Sequence, residues 1–380
     1  MNKQDPYIEE YERYRYQGLN GRYVNRDHLL DFYRVLAVKD IHPQKVGVSV
    51  NEEVIDLFRI GNGPVKVLMW SQMHGNESTT TRALTDLLHY MISDSRFTRE
   101  LSQRISLYII PMLSPDGARA YTRVNANNVD LNRDAQDRTQ PESRVLRKVF
   151  EEVKPDFCFN LHDQRTIFSA GPVNKPATIS FLSPSYNKAR DINEVRSTSM
   201  KIIANMNSRL QEHIPGQVGR YDDGFNLNCV GDTFQSEGVP TILFEAGHFP
   251  DDYQRHETRK YISFAIKTAL ESILNEEWKT TDHRDYFDIP ENEKLFCDIL
   301  IKNVPVKPKG EHTQYKSLHY MYKETLKDGE VVFIPEFSLL ENTQGVFAHR
   351  VLIVPDDYEL EYSSEQELQQ KSMSLLFRIL

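Results

Sequence analysis

The feature that most constrains the fold is an alternation of short apolar segments with segments of helical periodicity. VKVLMWSQM (65–73) is apolar almost throughout, and a helical pattern follows it from Ser78 to Met91. ISLYIIPML (105–113) is likewise followed, after a long loop, by a helical pattern from Pro141 to Val153. Continuous apolar runs are typical of strands buried on both faces, and their alternation with helices is typical of parallel sheets. The sequence therefore predicts an α/β fold with a mostly parallel or mixed central sheet and helices on both faces.

The same alternation extends towards the C-terminus and then stops. Two further strands are predicted at 156–161 and 240–244, and two further helices at 187–212 and 254–274. A polar segment then precedes the strand-like runs FCDILI, VVFIPEF and VFAHRVLIV, which indicate a small, mainly β C-terminal appendage. The predicted organisation is an N-terminal helical segment (1–44), a large α/β domain (45–280) and a mainly β domain (290–380).

Composition narrows the classes of function. A formal charge of -9 argues against a nucleic-acid groove as the main function, and 39% hydrophobic residues suffice for a large core. We see no run of 18 apolar residues and no secretory signal, so we expect no membrane partner and a cytoplasmic location. The three cysteines form no C-x-x-C pair, and Cys158 is predicted to be a buried structural thiol. The sequence does not indicate the oligomeric state.

Polar side chains follow three of the predicted strands at the point where each strand ends. The run 65–73 leads into His74-Gly75-Asn76-Glu77, the run 156–161 into His162, and the run 240–244 into Glu245. In open α/β sheets, ligands bind beyond the carboxyl ends of the strands. We therefore expect these three segments to converge at one edge of the sheet.

The residue types at this edge indicate a catalytic zinc site. Catalytic zinc takes three protein ligands and leaves one position for water, and two histidines with one glutamate are a known set. His74 and Glu77 provide a close pair, and His162 provides a remote third ligand for one Zn²⁺ ion. An H-x-x-E pattern alone also fits a surface helix pair, but its position after a buried strand favours a metal site.

Glu245 is predicted to be a general base. A carboxylate directly after an apolar strand lies in partly apolar surroundings, which raise its pKa towards neutral pH. The alternative is a helix-capping or salt-bridged glutamate.

A long polar loop (114–134) follows the strand at 105–113 and carries Arg119, Arg123, Asn132 and Arg133. Loops of this length inside a compact domain are usually functional. Arginines here can clamp a carboxylate and stabilise a developing oxyanion. The alternative, that some of them are solvated or pair with nearby aspartates, stays open.

Five ordered motifs resemble family M14 of the zinc carboxypeptidases, over about residues 45–275. They are H-G-N-E (74–77), S-P-D-G (114–117), R-x-N-A-x-N-V-D-L-N-R (123–133), N-L-H-D (160–163) and F-E-A-G (244–247). The spacing from Arg123 to Asn132 is more similar to the bacterial and cytosolic branches than to the digestive enzymes. The resemblance implies the roles of the site residues: His74, Glu77 and His162 as zinc ligands, Glu245 as base and proton shuttle, Arg123 as oxyanion stabiliser, Asn132 and Arg133 as the grip on the substrate carboxylate, and Tyr221 as the covering tyrosine.

Three hypotheses of function follow. The first is a zinc metallocarboxypeptidase that hydrolyses the C-terminal amide bond of peptides. The second is a zinc deacylase of N-acyl amino acids, because H-G-N-E and E-x-G also occur in the related desuccinylase and aspartoacylase group. The third is an inactive metal-bearing scaffold, against which the intact Glu245 argues. The first two both imply a substrate with a free carboxylate, and the sequence does not indicate its side-chain preference.

Overall fold

A computed structural model describes residues 5–93, 96–338, 345–354 and 358–379. Its α helices are α1 (Pro6–Glu9), α2 (Tyr11–Tyr14), α3 (Arg26–Ala37), α4 (Thr79–Met91), α5 (Arg96–Arg104), α6 (Pro115–Ala120), α7 (Pro141–Val153), α8 (Glu194–Leu210), α9 (Val230–Ser236), α10 (His256–Leu274) and α11 (Glu365–Ile379). Among these residues, no helix is both long and apolar enough to cross a lipid bilayer.

The strands form a large central sheet, a small two-stranded sheet and a C-terminal sheet. They are β1 (Gln44–Val48), β2 (Val54–Ile60), β3 (Val65–Ser71), β4 (Ile105–Ile110), β5 (Phe157–Asp163), β6 (Ser169–Ala170), β7 (Ile179–Leu182), β8 (Val218–Arg220), β9 (Thr241–Ala246), β10 (Asn292–Glu293), β11 (Phe296–Pro308), β12 (Gln314–Lys327), β13 (Glu330–Ser338), β14 (Phe347–Ile353) and β15 (Leu360–Tyr362).

The central sheet is mixed, with the order β1-β2-β4-β3-β5-β9-β7-β8. Its middle strands β4, β3, β5 and β9 are parallel, whereas β2 and β7 run antiparallel to their neighbours β4 and β9. Side chains alternate between faces along a strand. In β3, Val67 and Met69 join the core beneath α4, α8 and α10, and Leu68 and Trp70 join the core beneath α7 and α9. The predicted α/β sheet with helices on both faces is confirmed.

The boundaries of several elements differ from the predictions. The helix predicted at 187–212 begins at Glu194, because the Asn193 side chain accepts a hydrogen bond from the Arg196 amide and caps it there. The strands predicted at 156–161 and 240–244 continue to Asp163 and Ala246. His162 and Glu245 therefore lie within the ends of strands and not after them.

The C-terminal β unit, defined here as Phe296–Ile379, packs a sheet of the order β13-β12-β11-β14 against α11, and β15 also pairs with β11. Apolar residues on one face of β11, including Ile299 and Ile301, contact Leu375 and Leu376 of α11 in a separate core. The predicted mainly β appendage is confirmed, although the sequence analysis did not predict α11. Residues of β12 and β13 also line the cavity described below.

Candidate metal centre

The chain leaves β3 through a tight turn that aims His74 into the molecule. Gln72 has a left-handed φ of 45° and donates its side-chain amide hydrogens to the Val24 and Gly75 carbonyl oxygens at 2.8 and 2.9 Å. Gly75 lies so close to α6 that an added Cβ atom would be 1.8 Å from the Gly117 carbonyl carbon. The sequence analysis noted this glycine as part of the H-G-N-E motif, and the structure shows that close backbone approach is what requires it.

The side chains of His74, Glu77 and His162 meet at the carboxyl edge of the sheet. The Nδ1 atoms of the two histidines lie 3.1 Å apart, and each lies 2.8 Å from one carboxylate oxygen of Glu77. All three residues are buried, with exposed fractions of 1%, 7% and 2%. Potential ligand atoms of the three lie within 4.8 Å of one another.

This cluster fits a zinc ion. Two ligands bound at 2.0–2.1 Å with a tetrahedral angle lie about 3.4 Å apart, which is close to the observed separations. Two imidazole nitrogens and one carboxylate are a donor set of catalytic zinc, with one position left for water. Burial opposes ionisation of Glu77, but the neighbouring His74 and His162 outweigh it and hold the pKa of the Glu77 carboxyl well below its ordinary value.

Asp130 supports the first ligand from outside the cluster. Its Oδ1 atom lies 2.9 Å from Nε2 of His74 and also accepts a hydrogen bond from the Asn132 amide at 2.9 Å. A hydrogen bond to Nε2 favours the tautomer whose Nδ1 is free to bind metal. Asp130 is one of the aspartates near the loop arginines, and the sequence did not indicate this role.

Asp163 links the segments of two ligands. Its carboxylate accepts hydrogen bonds from the Thr79 and Thr80 amides at 2.9 and 3.2 Å, which caps α4 directly after Glu77. Its own backbone amide donates to Oε2 of Glu77 at 3.1 Å. The position of Glu77 is thus fixed to the strand that carries His162.

Glu245 lies beside this cluster. It is the register partner of His162 on the adjacent parallel strand, so both side chains leave the same face of the sheet. Burial, together with the charges of Glu77 and Asp163, raises the pKa of the Glu245 carboxyl well above its ordinary value. The carboxylate and the three ligands line one cavity of about 760 Å³.

Three other predicted residues line the same cavity. Arg123 donates to Glu77 and Asp130, each at 3.1 Å, so it already contacts a metal ligand. The side-chain oxygen of Asn132 accepts a hydrogen bond from the Val230 amide at 2.9 Å, which holds α9 against this loop. Arg133 donates to the Asn132 carbonyl oxygen at 2.7 Å, and its side chain is exposed.

Of two further residues that the sequence singled out, Tyr221 lines the cavity and Arg119 does not. Tyr221 follows β8 and lines the cavity, and its ring centroid lies 5.5 Å from that of Phe168. Burial and the charges of Glu245 and Glu77 raise its pKa. Arg119 is not in the cavity lining, because it pairs with Glu53 and Asp27 at 2.7 and 3.0 Å. For Arg119 the solvated ion-pair alternative is correct.

A buried His₂Glu cluster at the carboxyl edge of an α/β sheet, with a carboxylate on the next strand, is the arrangement of mononuclear zinc hydrolases. Residues 37–277 match the family described as zinc carboxypeptidase. The chain therefore belongs to the M14 zinc carboxypeptidase family.

Similarity to individual proteins is more distant. Carboxypeptidase 2 of Trichophyton rubrum is 24% identical over 187 residues, which cover 48% of this chain and 33% of that protein. The chain thus spans about a third of the length of this relative. A metallo-carboxypeptidase from Pseudomonas aeruginosa has 17% identity and a TM-score of 0.54, covering 67% of this chain and 70% of that one. One from Burkholderia cenocepacia has 16% identity and a TM-score of 0.52, covering 67% and 70%. Both structures share the fold.

Proposed function

We propose that this protein is a zinc-dependent metallocarboxypeptidase that hydrolyses the C-terminal amide bond of peptides. One observation carries the proposal: His74, Glu77 and His162 converge beside Glu245 in a cavity that Asn132 and Arg133 also line. Membership of the zinc carboxypeptidase family supports it.

His74, Glu77 and His162 would hold the zinc ion, which supplies a Lewis acid that acidifies water and polarises a carbonyl group. Glu245 accepts the proton of the attacking water and then donates it to the amine that leaves. The buried surroundings that raise the pKa of Glu245 make it a better proton acceptor than an exposed glutamate.

Three further residues of the cavity bind the substrate. Arg133 and Asn132 are the grip on the free carboxylate, which selects the last residue of a peptide. Arg123 stabilises the negative charge that develops on the carbonyl oxygen of the substrate. To do so, its partly exposed guanidinium gives up its contact with either Glu77 or Asp130 and donates to that oxygen instead.

The direct test compares a peptide with its C-terminally amidated form and with N-acyl amino acids, using zinc-loaded protein. We expect release of the last amino acid from the free-carboxylate peptide only, and loss of this activity on chelation with recovery on zinc addition. Hydrolysis of N-acyl amino acids alone would instead identify a deacylase. Absence of any zinc-dependent hydrolysis would contradict the proposal.

A further inference from the structure

The cavity that holds the metal ligands reaches the C-terminal β unit. Met321 and Tyr322 of β12 and Phe333 of β13 line it together with the metal ligands. These residues lie outside the matched range 37–277. The family resemblance therefore assigns them no role.

Three aromatic rings form a wall of the cavity across the two units. Tyr253 comes from the central domain, and its ring centroid lies 5.0 Å from that of Tyr322 and 5.4 Å from that of Phe333. The first pair is edge-to-face, with an interplanar angle of 88°. All three side chains are only partly buried. We call Tyr253, Tyr322 and Phe333 the aromatic wall.

A buried carboxylate holds two residues of the aromatic wall. Asp298 of β11 is 1% exposed and accepts hydrogen bonds from the Tyr253 hydroxyl at 2.9 Å and from the Tyr322 amide at 2.7 Å. Side chains whose positions are already fixed lose little conformational entropy when a ligand binds. The Tyr253 ring and the Tyr322 backbone are therefore held in place before a ligand binds.

The loop that follows His162 joins the C-terminal β unit to the metal site. The Phe296 amide donates to the Ile167 carbonyl oxygen at 3.0 Å, and Nε2 of His349 donates to the Thr166 carbonyl oxygen at 2.8 Å. Ile167 and Thr166 themselves line the cavity. These two hydrogen bonds tie the C-terminal β unit to the segment that follows the metal ligand His162.

The aromatic wall and the carboxylate grip are connected to the ligand cluster through different residues. Asn132 is joined to it through Asp130, which binds Nε2 of His74. Tyr253 is joined to it through Arg255, two residues later, whose guanidinium lies 3.6 Å from the Asp163 carboxylate. Under the proposed function Asn132 and Arg133 hold the carboxylate of the last residue, so the separate aromatic wall is available to a residue that precedes it.

We propose that the aromatic wall is a subsite for a large apolar or aromatic side chain on the amino-terminal side of the scissile bond. The proposal rests on the proposed carboxypeptidase function. It makes the C-terminal β unit part of the substrate site, with Phe333 as a specificity-determining residue. Because an aromatic pair contributes about 0.5–1.5 kcal/mol beyond simple burial, we expect a preference of roughly 2- to 12-fold from ring contacts.

The test uses two N-blocked dipeptides that share one C-terminal residue and have Phe or Gly before it. We expect wild-type protein to give the higher kcat/KM with the Phe substrate. Phe333→Ala should lower kcat/KM for the Phe substrate far more than for the Gly substrate, which abolishes most of this ratio. Ile334→Ala is the matched control, because Ile334 is the next residue of the same strand and is 45% exposed. Phe333→Leu keeps most of the side-chain volume without the aromatic ring, so it is less prone to a folding defect than Phe333→Ala. Thermal unfolding of each variant shows whether it is folded.

An unchanged Phe/Gly ratio in folded Phe333→Ala and Phe333→Leu would overturn this inference while leaving the carboxypeptidase function intact. Failure to cleave either dipeptide would instead count against the proposed function. In that event the subsite is tested by binding, with the dissociation constants of both dipeptides measured for zinc-loaded Glu245→Gln and for the double variant Glu245→Gln/Phe333→Ala. Equal constants for the Phe dipeptide in the two proteins would refute the subsite.

Discussion

Asp130 is not one of the three metal-ligand residues, yet it holds one of them in position. Its carboxylate lies 2.9 Å from Nε2 of His74. Loss of such outer partners typically costs about 10- to 100-fold in metal affinity. We expect Asp130→Asn to weaken zinc binding by this factor, measured by competition with a chelator. Asp137→Asn, at an exposed position between this loop and α7, should leave the affinity unchanged, and equal affinities for both variants would refute the role of Asp130.

Glu245 carries the proton transfers of the proposed reaction but is not one of the metal-ligand residues. Glu245→Gln keeps the shape of the side chain and removes its basicity. We expect one zinc per chain in this variant and a fall in kcat of about 10²–10⁴-fold, the usual contribution of general acid–base catalysis. Elemental analysis gives the zinc content and a peptide assay gives kcat. Wild-type activity in the zinc-loaded variant would rule out the base.

The three ligands could be predicted because each lies at or just after the end of a strand whose apolar run is recognisable in the sequence. The supporting roles of Asp130 and Asp163 were not predictable in the same way. Their partners His74 and Thr79 lie 56 and 84 residues away, and the pairing depends on the turn geometry after β3. Local patterns do not encode that geometry.

At the scale of elements, α4 begins two residues after Glu77, and the carboxylate that caps it belongs to Asp163 of β5. Asp163 accepts hydrogen bonds from two amides of its first turn, and the partial positive charge at a helix N-terminus favours a carboxylate there. We expect Asp163→Ala to lower the free energy of unfolding by about 1–2 kcal/mol, the usual cost of losing a cap. Urea titration of the zinc-free protein measures this. A value equal to that of the exposed-site control Asp137→Ala would contradict the capping role.

Long apolar strands were easier to predict than the short ones. β7 and β8 have four and three residues, too few for a clear periodic signal, and they were missed. β5 and β9 were recognised but ended two residues early, because His162 and Glu245 break the apolar pattern while the backbone stays extended. Polar residues at strand ends were thus the mark of the site and also the reason for the boundary error.

At the scale of the whole molecule, an ion pair joins the N-terminal segment to the C-terminal β unit. Nη2 of Arg22 donates to both carboxylate oxygens of Glu324, each at 3.0 Å. The Arg22 residue is only 3% exposed. Burial opposes ionisation of Glu324, but Arg22 outweighs it and holds the pKa of the carboxyl below 4.5. A depressed carboxyl pKa stabilises the fold above the unfolded pKa, and this stabilisation is lost as the pH falls through the folded pKa.

We therefore expect Glu324→Gln to destabilise the protein most at neutral pH, by about 1–3 kcal/mol, since the partly exposed pair is worth less than a fully buried one. The difference from wild type should shrink as the pH falls below 4.5. Urea unfolding at several pH values measures both effects. Glu336→Gln, which removes an exposed pair with Lys323, should change stability by less than about 0.5 kcal/mol. A pH-independent difference for Glu324→Gln would contradict the assignment.

The contribution of the C-terminal β unit to the cavity could not be read from the sequence. Strand patterns predicted that residues 290–380 form a mainly β unit, but the face that meets the central domain is set by contacts such as Asp298 with Tyr253, 45 residues apart. The cavity is a property of how the two units pack together.

The central claim is that His74, Glu77 and His162 hold one catalytic zinc ion. Anomalous diffraction at the zinc absorption edge, from crystals of the zinc-loaded protein, tests it most directly. We predict a single strong peak about 2.0–2.2 Å from Nδ1 of both histidines and from a Glu77 carboxylate oxygen. A zinc peak held by other residues, with these three side chains still packed against one another, would contradict it.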